Sequence, residues 1–540
     1  MTFTFKSLLA LGAGLVLGVS AFAQSLPDNF RDRLDPERER SRPAQPGIDT
    51  GIEAGTTDID VNARPGVQIS ELKFEGIAVP AMVGKAGEPF IGSPLTTTTL
   101  KSLVTALSSA YRKSAVALFT LVIPEQDFDN GVVRILAAEG FVESVTVKGD
   151  ITKNERAFIL AHANRISENR PALRKTLDRN LLLLEDTPGL EIEEQILSGT
   201  QPAGVQLALD AEQKRTDFSV GYDSRTTRLI DQGQFSGKAA GYGLFRAGDE
   251  TRLDLASSTN FEDFRYAGLQ HGTPLNSKGT RATIGAAWLQ SFADDTGISG
   301  EATLYSASLS HPFIRSTKQN LRGGLTVDAL NSDNAVFGSL IATERTRAAR
   351  ASLSYDHSTD ERYVGVSAKV SRGFDVLDAR ISDPVGELEF TKIEAAAKLV
   401  QRLNRRTFLR LSAASQWTDD PLPANERFSV GGPNFGRAFE NGLVNADRGA
   451  STLIETAYRP IKNGKLSKSE LYTFVDYAYT DFAGREIDPI ELGSFGGGVR
   501  ASYKDIGQLE LEASKPYKQP LPGYGSDWQF AVSWSIKIDP

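Results

Sequence analysis

The sequence predicts a transmembrane antiparallel β-barrel of roughly 16 strands, preceded by two β-α-α-β-β modules. Three observations carry that prediction. The segment Trp528-Gln-Phe530-Ala-Val532-Ser-Trp534-Ser-Ile536-Lys-Ile538 places a large apolar side chain at every second position. In a β-strand this makes one face greasy and the other wet. The same alternation recurs from Lys214 onward, in runs bounded by Gly, Pro, Asn, Asp or Ser. Between residues 66 and 212 a mixed strand and helix pattern is repeated in the same order.

The first residues read as a processing segment. Lys6 is the only charge before Asp28, Leu8 to Val19 is apolar, and Ala21-Phe22-Ala23 is a small-x-small site. A secretory signal peptide over 1–23 is expected, with cleavage after Ala23. Residues 24–65 are rich in Pro, Arg, Asp and Glu. Asn29 to Arg42, with Phe30 and Leu34 four apart, can form a charged helix that plugs a pore. The bland alternative is a structureless leader and linker.

In the first module (66–140), Val67 to Phe74 alternates as a strand and ends at Glu75-Gly76. Leu100, Leu103, Leu107 and Tyr111 make one helical stripe in Leu100 to Ala115. Ala117 to Ile123 and Gly131 to Ala138 are the closing strands. In the second module (141–212), Val142 to Lys148 is a strand ending at Gly149. Asn154 to Ala163 and Pro171 to Leu184 are helices, and Leu190 to Leu197 and Gly204 to Asp210 close the unit.

The barrel spans 213–540. Its strands include Phe218-x-Val220-x-Tyr222, Val364-x-Val366-x-Ala368-x-Val370 and Leu509-x-Leu511-x-Ala513. All four tryptophans, Trp288, Trp417, Trp528 and Trp534, lie here, as amphipathic rings at a membrane interface do. At roughly 20 residues per strand and connection the region holds roughly 16 strands, an even number suited to closure. An open sheet of that size would expose long edges. The final strand should pair with the first and stop at Ile538, because Pro540 cannot donate and Asp539 is costly at the lipid boundary. Phe530, Val532, Trp534, Ile536 and Ile538, with Trp528 before them, should face lipid. Gln529, Ala531, Ser533, Ser535 and Lys537 should face the lumen.

Composition narrows the function. There are no cysteines, which removes disulfide frameworks and thiolate chemistry. The four histidines, His162, His271, His311 and His357, show no metal-ligand spacing, so neither metal nor cofactor is expected. Net charge is −8 with acids and bases interspersed, which gives no nucleic-acid footprint. No Gly-x-Ser-x-Gly elbow or other nucleophile arrangement can be assembled, so catalysis is not expected.

Two sets of motifs resemble a known family. Val122-Ile-Pro124-Glu-Gln126-Asp-Phe-Asp-Asn-Gly131-Val-Val-Arg-Ile135, with Glu139-Gly140, and Leu173…Leu177-x-Arg179-x-Leu181-Leu-Leu-Leu184…Pro188-Gly189 are similar to the POTRA modules of two-partner secretion outer-membrane transporters. These are the haemolysin/haemagglutinin secretion/activation proteins. Ser114-Ala115 departs from the family by lacking its glycine. Phe428-Ser-Val430-Gly-Gly432-Pro-Asn-Phe435-Gly436-Arg437-Ala438-Phe439 resembles the family's inward-folded loop near 428–445, matched at Arg437 and Phe439. Phe474-Val-Asp476-Tyr-Ala478 resembles its Phe-x-Asp-x-Gly strand, with Ala478 for glycine. His311-Pro312-Phe313-Ile314-Arg315 resembles a structural strand-end turn of the family.

The resemblance implies a pore in the Gram-negative outer membrane with its modules in the periplasm. It would export an unfolded secreted exoprotein, captured through that partner's N-terminal region by residues within 66–210. Assembly would involve outer-membrane lipid and the barrel-assembly machinery. Arg437 is expected to pair with Asp476 inside the lumen, since an unpaired desolvated guanidinium is expensive. Phe474 and Phe439 would pack the loop, and Glu455 reads either as an ordinary wet-face carboxylate or as a member of the Arg437 network. Gly496-Gly-Gly498 is expected to relieve crowding of its strand against the inserted loop. A barrel-insertion factor of the same superfamily is the alternative, and a diffusion porin the third reading.

Overall fold

The computed structural model describes residues 66–538, apart from Asp129, Thr226, 228–232, 294–296 and Asp505. The expected signal peptide, the charged leader and Asp539-Pro540 lie outside the described residues. Contacts divide the chain at Lys214/Arg215, with Arg315–Thr317 grouped with the N-terminal unit.

The N-terminal unit holds β1 (Glu71–Glu75), α1 (Ala81–Gly87), α2 (Thr97–Arg112), β2 (Phe119–Val122) and β3 (Val132–Glu139). The same order follows in β4 (Phe141–Lys148), α3 (Lys153–Ala163), α4 (Arg174–Glu185), β5 (Leu190–Ser198) and β6 (Gly204–Gln213). Each module has a three-stranded sheet, ordered β1-β3-β2 and β4-β6-β5. In both, the first strand runs parallel to the last and the middle strand antiparallel to it.

The helix α2 forms where the stripe placed it. Thr96 caps its start by accepting from the Thr99 N–H at 3.1 Å, and Leu100, Leu103, Leu107 and Tyr111 are buried. The other end closes as the Ser114 N–H donates to the Tyr111 carbonyl at 2.9 Å, and the Ser114 hydroxyl accepts from the Val116 N–H at 3.2 Å. The helix α1 shows no sequence stripe: it has seven residues, two of them glycine. The expected first strand begins later, at Glu71, because Gln68 instead bridges to Pro94.

The glycine that follows each first strand marks the repeat. Gly76 has φ +100° and Gly149 φ +109°. A Cβ on either would collide with a carbonyl of the closing strand, Ala137 O or Ala211 O. Only glycine allows that turn at that approach. Gln126 works in the other direction. Its side chain accepts from the Arg134 N–H at 2.7 Å and donates to the Arg134 carbonyl at 2.8 Å, completing the ladder beside β3.

The C-terminal unit is a closed antiparallel barrel of sixteen strands, with a two-residue strand at Arg380–Ile381 added at one rim. It closes by pairing Gln529–Ile538 with Thr216–Asp223, in the register Trp534↔Tyr222, Ile536↔Val220 and Ile538↔Phe218. On the other side Val532 meets Leu511 and Ser533 meets Glu510. Residues directly opposite in a ladder share a face. One face of this seam is therefore aromatic and aliphatic, and the other carries Glu510 and Glu512, the latter buried in the lumen. The last described strand ends at Ile538.

Arginine at Val532 is therefore expected to cost about 2–4 kcal/mol of insertion free energy, and arginine at Ser533 much less. Comparing the two variants by heat-modifiable migration of the membrane fraction checks this. Equal losses would mean that the assigned faces are wrong.

Candidate functional site: a loop crossing the barrel lumen

The segment between the strands Thr407–Thr418 and Arg448–Tyr458 folds into the barrel. Phe428–Val430 and Val444–Ala446 pair as a short hairpin. Its tip turns sharply at Gly431 and Gly432, with φ +110° and +100°. A side chain at Gly431 would strike the Glu440 carbonyl, so close folding of the tip also requires glycine there.

At the tip, Arg437 does not form its ion pair with Asp476. Its Nη1 donates to Glu455 Oε2 at 3.2 Å and to Glu512 Oε2 at 3.1 Å. Asp476 binds the loop differently, accepting the Arg437 backbone N–H at 3.1 Å. It also accepts the Ser494 N–H at 3.1 Å and the Ser494 hydroxyl at 2.7 Å. The physical reason is satisfaction. Asp476 is short and 1 % exposed, and those three donors already occupy its oxygens. The longer Glu455 and Glu512 reach the guanidinium.

Glu455 is the centre of this site. Besides Arg437 it accepts from Arg500 Nη1 and Nη2 at 2.7 and 2.8 Å and from Arg410 Nη1 at 2.8 Å. Arg410 continues to Glu470 at 2.7 Å, and Arg225 reaches Glu512 at 3.2 Å. The Tyr472 hydroxyl stands 2.6 Å from Glu510 and 2.8 Å from Glu512. Four guanidinium groups thus face four carboxylates in a space that excludes most water, where each lone member would be costly.

The aromatic residues complete the seat. The Arg437 guanidinium lies 4.6 Å from the Phe474 ring centroid and that of Arg500 3.8 Å from Tyr472. Phe439 is buried with Val430, Val444, Ala478 and Leu492, so the Ala478 methyl is part of the loop's apolar seat. Gly496 and Gly498 relieve crowding of a different kind from the one expected. A Cβ at Gly496 would stand 2.9 Å from the Phe474 ring, and one at Gly498 2.7 Å from the Tyr472 hydroxyl. The crowding comes from neighbouring wall side chains and strand carbonyls, not from the loop.

The base of the loop has a second anchor that sequence reasoning missed. Glu426, with no exposed side-chain surface, accepts from Arg350 Nη2 at 2.8 Å and Nη1 at 3.1 Å. Lys392 Nζ lies 3.2 Å from the same carboxylate and donates to the Glu426 carbonyl at 2.8 Å. Arg350 is itself held by Asp328 at 2.6 Å. Beside it, Arg427 donates to Asp383 at 2.8 Å. The adjacent Glu426-Arg427 pair at the foot of a Gly-rich loop was the available signal.

Arg350, which holds Glu426, and Glu512, which holds Arg437, stand on strands seven places apart in the ring of sixteen. The loop therefore bridges nearly opposite walls, pinned by an ion cluster at each end. His311 to Arg315 ends the strand Ile298–Arg315, where His311 Nδ1 lies 2.9 Å from the Thr280 hydroxyl.

The comparisons with known proteins agree with this architecture. The family model of the haemolysin secretion/activation protein ShlB/FhaC/HecB matches residues 286–501. The heme/hemopexin transporter protein HuxB of Haemophilus influenzae (strain 86-028NP) is 21% identical over 543 residues, 94% of each chain. The outer membrane transporter CdiB of Dickeya dadantii (strain 3937) is 22% identical over 369 residues, 65% of this chain and 64% of that one. The solved structure of CdiB from Escherichia coli has the same fold, with a TM-score of 0.67 at 17% identity, covering 96% of this chain and 98% of that one. Together the matches support a two-partner secretion outer-membrane transporter, similar over residues 286–501 to the haemolysin secretion/activation proteins.

Proposed function

We propose that this protein exports an unfolded secreted partner across the Gram-negative outer membrane, and that the loop over residues 419–447 is its gate. The observation that carries the gate is the way the loop is held. Side-chain ion pairs at Arg437 and Glu426 fasten it to the wall, whereas its hairpin strands pair only with each other. Such contacts can be exchanged for water or for a passing polypeptide without unzipping the barrel.

Residues 66–140 and 141–212 act as periplasmic receptor modules, and 213–540 as the conduit. Each sheet has two edge strands, β1 and β2 in the first module and β4 and β5 in the second, to which the partner's N-terminal region can add. Strand addition of this kind gives backbone affinity with tolerance of sequence. Transport rather than catalysis is the whole activity, and folding of the partner outside the cell supplies the drive.

Co-expression with a secreted partner encoded beside it tests the receptor reading. Deleting 66–140 is expected to abolish appearance of the partner outside the cell while heat-modifiable barrel remains in the membrane. Undiminished export by that variant would remove the receptor claim.

A further inference from the structure

The barrel end at which Thr216–Asp223 begins carries an uneven charge. Its turns over 243–249, 275–280, 316–318 and 359–361 hold Arg246, Lys278 and Lys318 against Asp249, Asp360 and Glu361. Their formal charges cancel. The next three turns differ. Arg405 in 403–406, Lys462, Lys465 and Lys468 in 459–469, and Lys504 in 504–506 are all exposed. Asp505 is the only acid those three turns contain.

These turns form one continuous rim. The Arg459 N–H donates to the Arg406 carbonyl at 2.8 Å, and the Lys504 N–H to the Lys465 carbonyl at 2.7 Å. Exposed apolar side chains are set among the bases: Leu403, Ile461, Leu466 and Ile506. Tyr458 and Tyr503 end the outward rows of their strands directly beneath, each about two-fifths exposed, at 40% and 43%. The Lys465 ammonium lies 5.7 Å from the Tyr503 ring.

Bases reaching past aliphatic groups and interfacial tyrosines match a bilayer surface, with an apolar layer below and phosphate above. Nothing in export of a partner calls for this surface. We propose that the rim formed by these three turns binds the phosphate groups of anionic glycerophospholipids in the leaflet on that side of the membrane. The charge gathers annular lipid at one arc of the wall, and Leu403, Ile461, Leu466 and Ile506 enter the acyl boundary beside it.

The test uses the full chain in bilayers of equal parts phosphatidylcholine and phosphatidylglycerol, with retained lipid measured by native mass spectrometry after mild extraction. Wild-type protein is expected to retain phosphatidylglycerol several-fold, roughly fivefold, over phosphatidylcholine, and to lose that preference at high salt. The combined variant Arg405→Gln, Lys462→Gln, Lys465→Gln and Lys504→Gln should retain the two lipids equally. The control Lys278→Gln, Lys318→Gln should behave as wild type. Retention in the bulk ratio by wild type at low salt would overturn the proposal and leave the bases to an acidic polypeptide. So would an unchanged preference in the four-site variant, or an equal loss in the control. The salt dependence of wild type alone decides the matter if the four-site variant does not insert.

Discussion

Replacing Glu455 by alanine is expected to have the largest effect of any single change in the lumen. It leaves Arg410, Arg437 and Arg500 without the carboxylate that they share. Breaking a buried pair on one side costs about 3–5 kcal/mol, because the remaining charge stays desolvated. Here the cost is borne where the loop meets the wall, so the expected result is a released tip and a conducting pore. Single-channel recordings of the purified protein in planar bilayers should show long open intervals in Glu455→Ala that wild type lacks. Arg437→Ala should open the pore less, since Glu455 keeps Arg410 and Arg500.

A mutant cycle separates the two carboxylates that touch the tip. Arg437→Ala with Glu455→Ala should be far less than additive, because both remove one side-chain interaction. Arg437→Ala with Asp476→Ala should be close to additive, because Asp476 holds the backbone N–H that alanine retains. Additivity in the first cycle and strong coupling in the second would refute the arrangement seen in the lumen.

The second large effect is expected at Glu426. Its carboxylate meets Arg350 and Lys392 with no exposed surface, so Glu426→Ala leaves Arg350 to Asp328 alone and Lys392 to the more distant Glu394 at 3.6 Å, and should cost about 3 kcal/mol. The base should loosen while the Arg437 seat persists, giving partial closures instead of a stable open state. Single-channel recordings of Glu426→Ala check this, and traces identical to those of wild type would mean that the base does not move during opening. Glu426→Gln should fall between wild type and alanine, since the amide keeps an acceptor but loses the charge.

Period-two alternation from Phe218 to Ile538 required strands, and their number and amphipathicity required a closed barrel in a membrane. That much is local, since side-chain direction follows from backbone geometry alone. The repeated β-α-α-β-β order was legible for the same reason, down to Gly76 and Gly149, whose need for positive φ is a backbone property. The helix Ala81–Gly87 was not, because seven residues with two glycines make no periodic stripe.

The chemistry of the lumen was legible only in part. Arg437, Phe439, Phe474 and Asp476 do meet at one place, but which carboxylate receives the guanidinium could not be read from the chain. That choice depends on reach and on prior satisfaction. Asp476 is filled by Ser494 and a backbone N–H, while Glu455 and Glu512 arrive from strands fixed by the ring's register. Glu426 depended still more on assembly. Its partners lie 34 and 76 residues away, on walls that become neighbours only when the barrel closes around the loop. Charge pairing across a lumen is set by distances between strands, and no sequence period carries those distances.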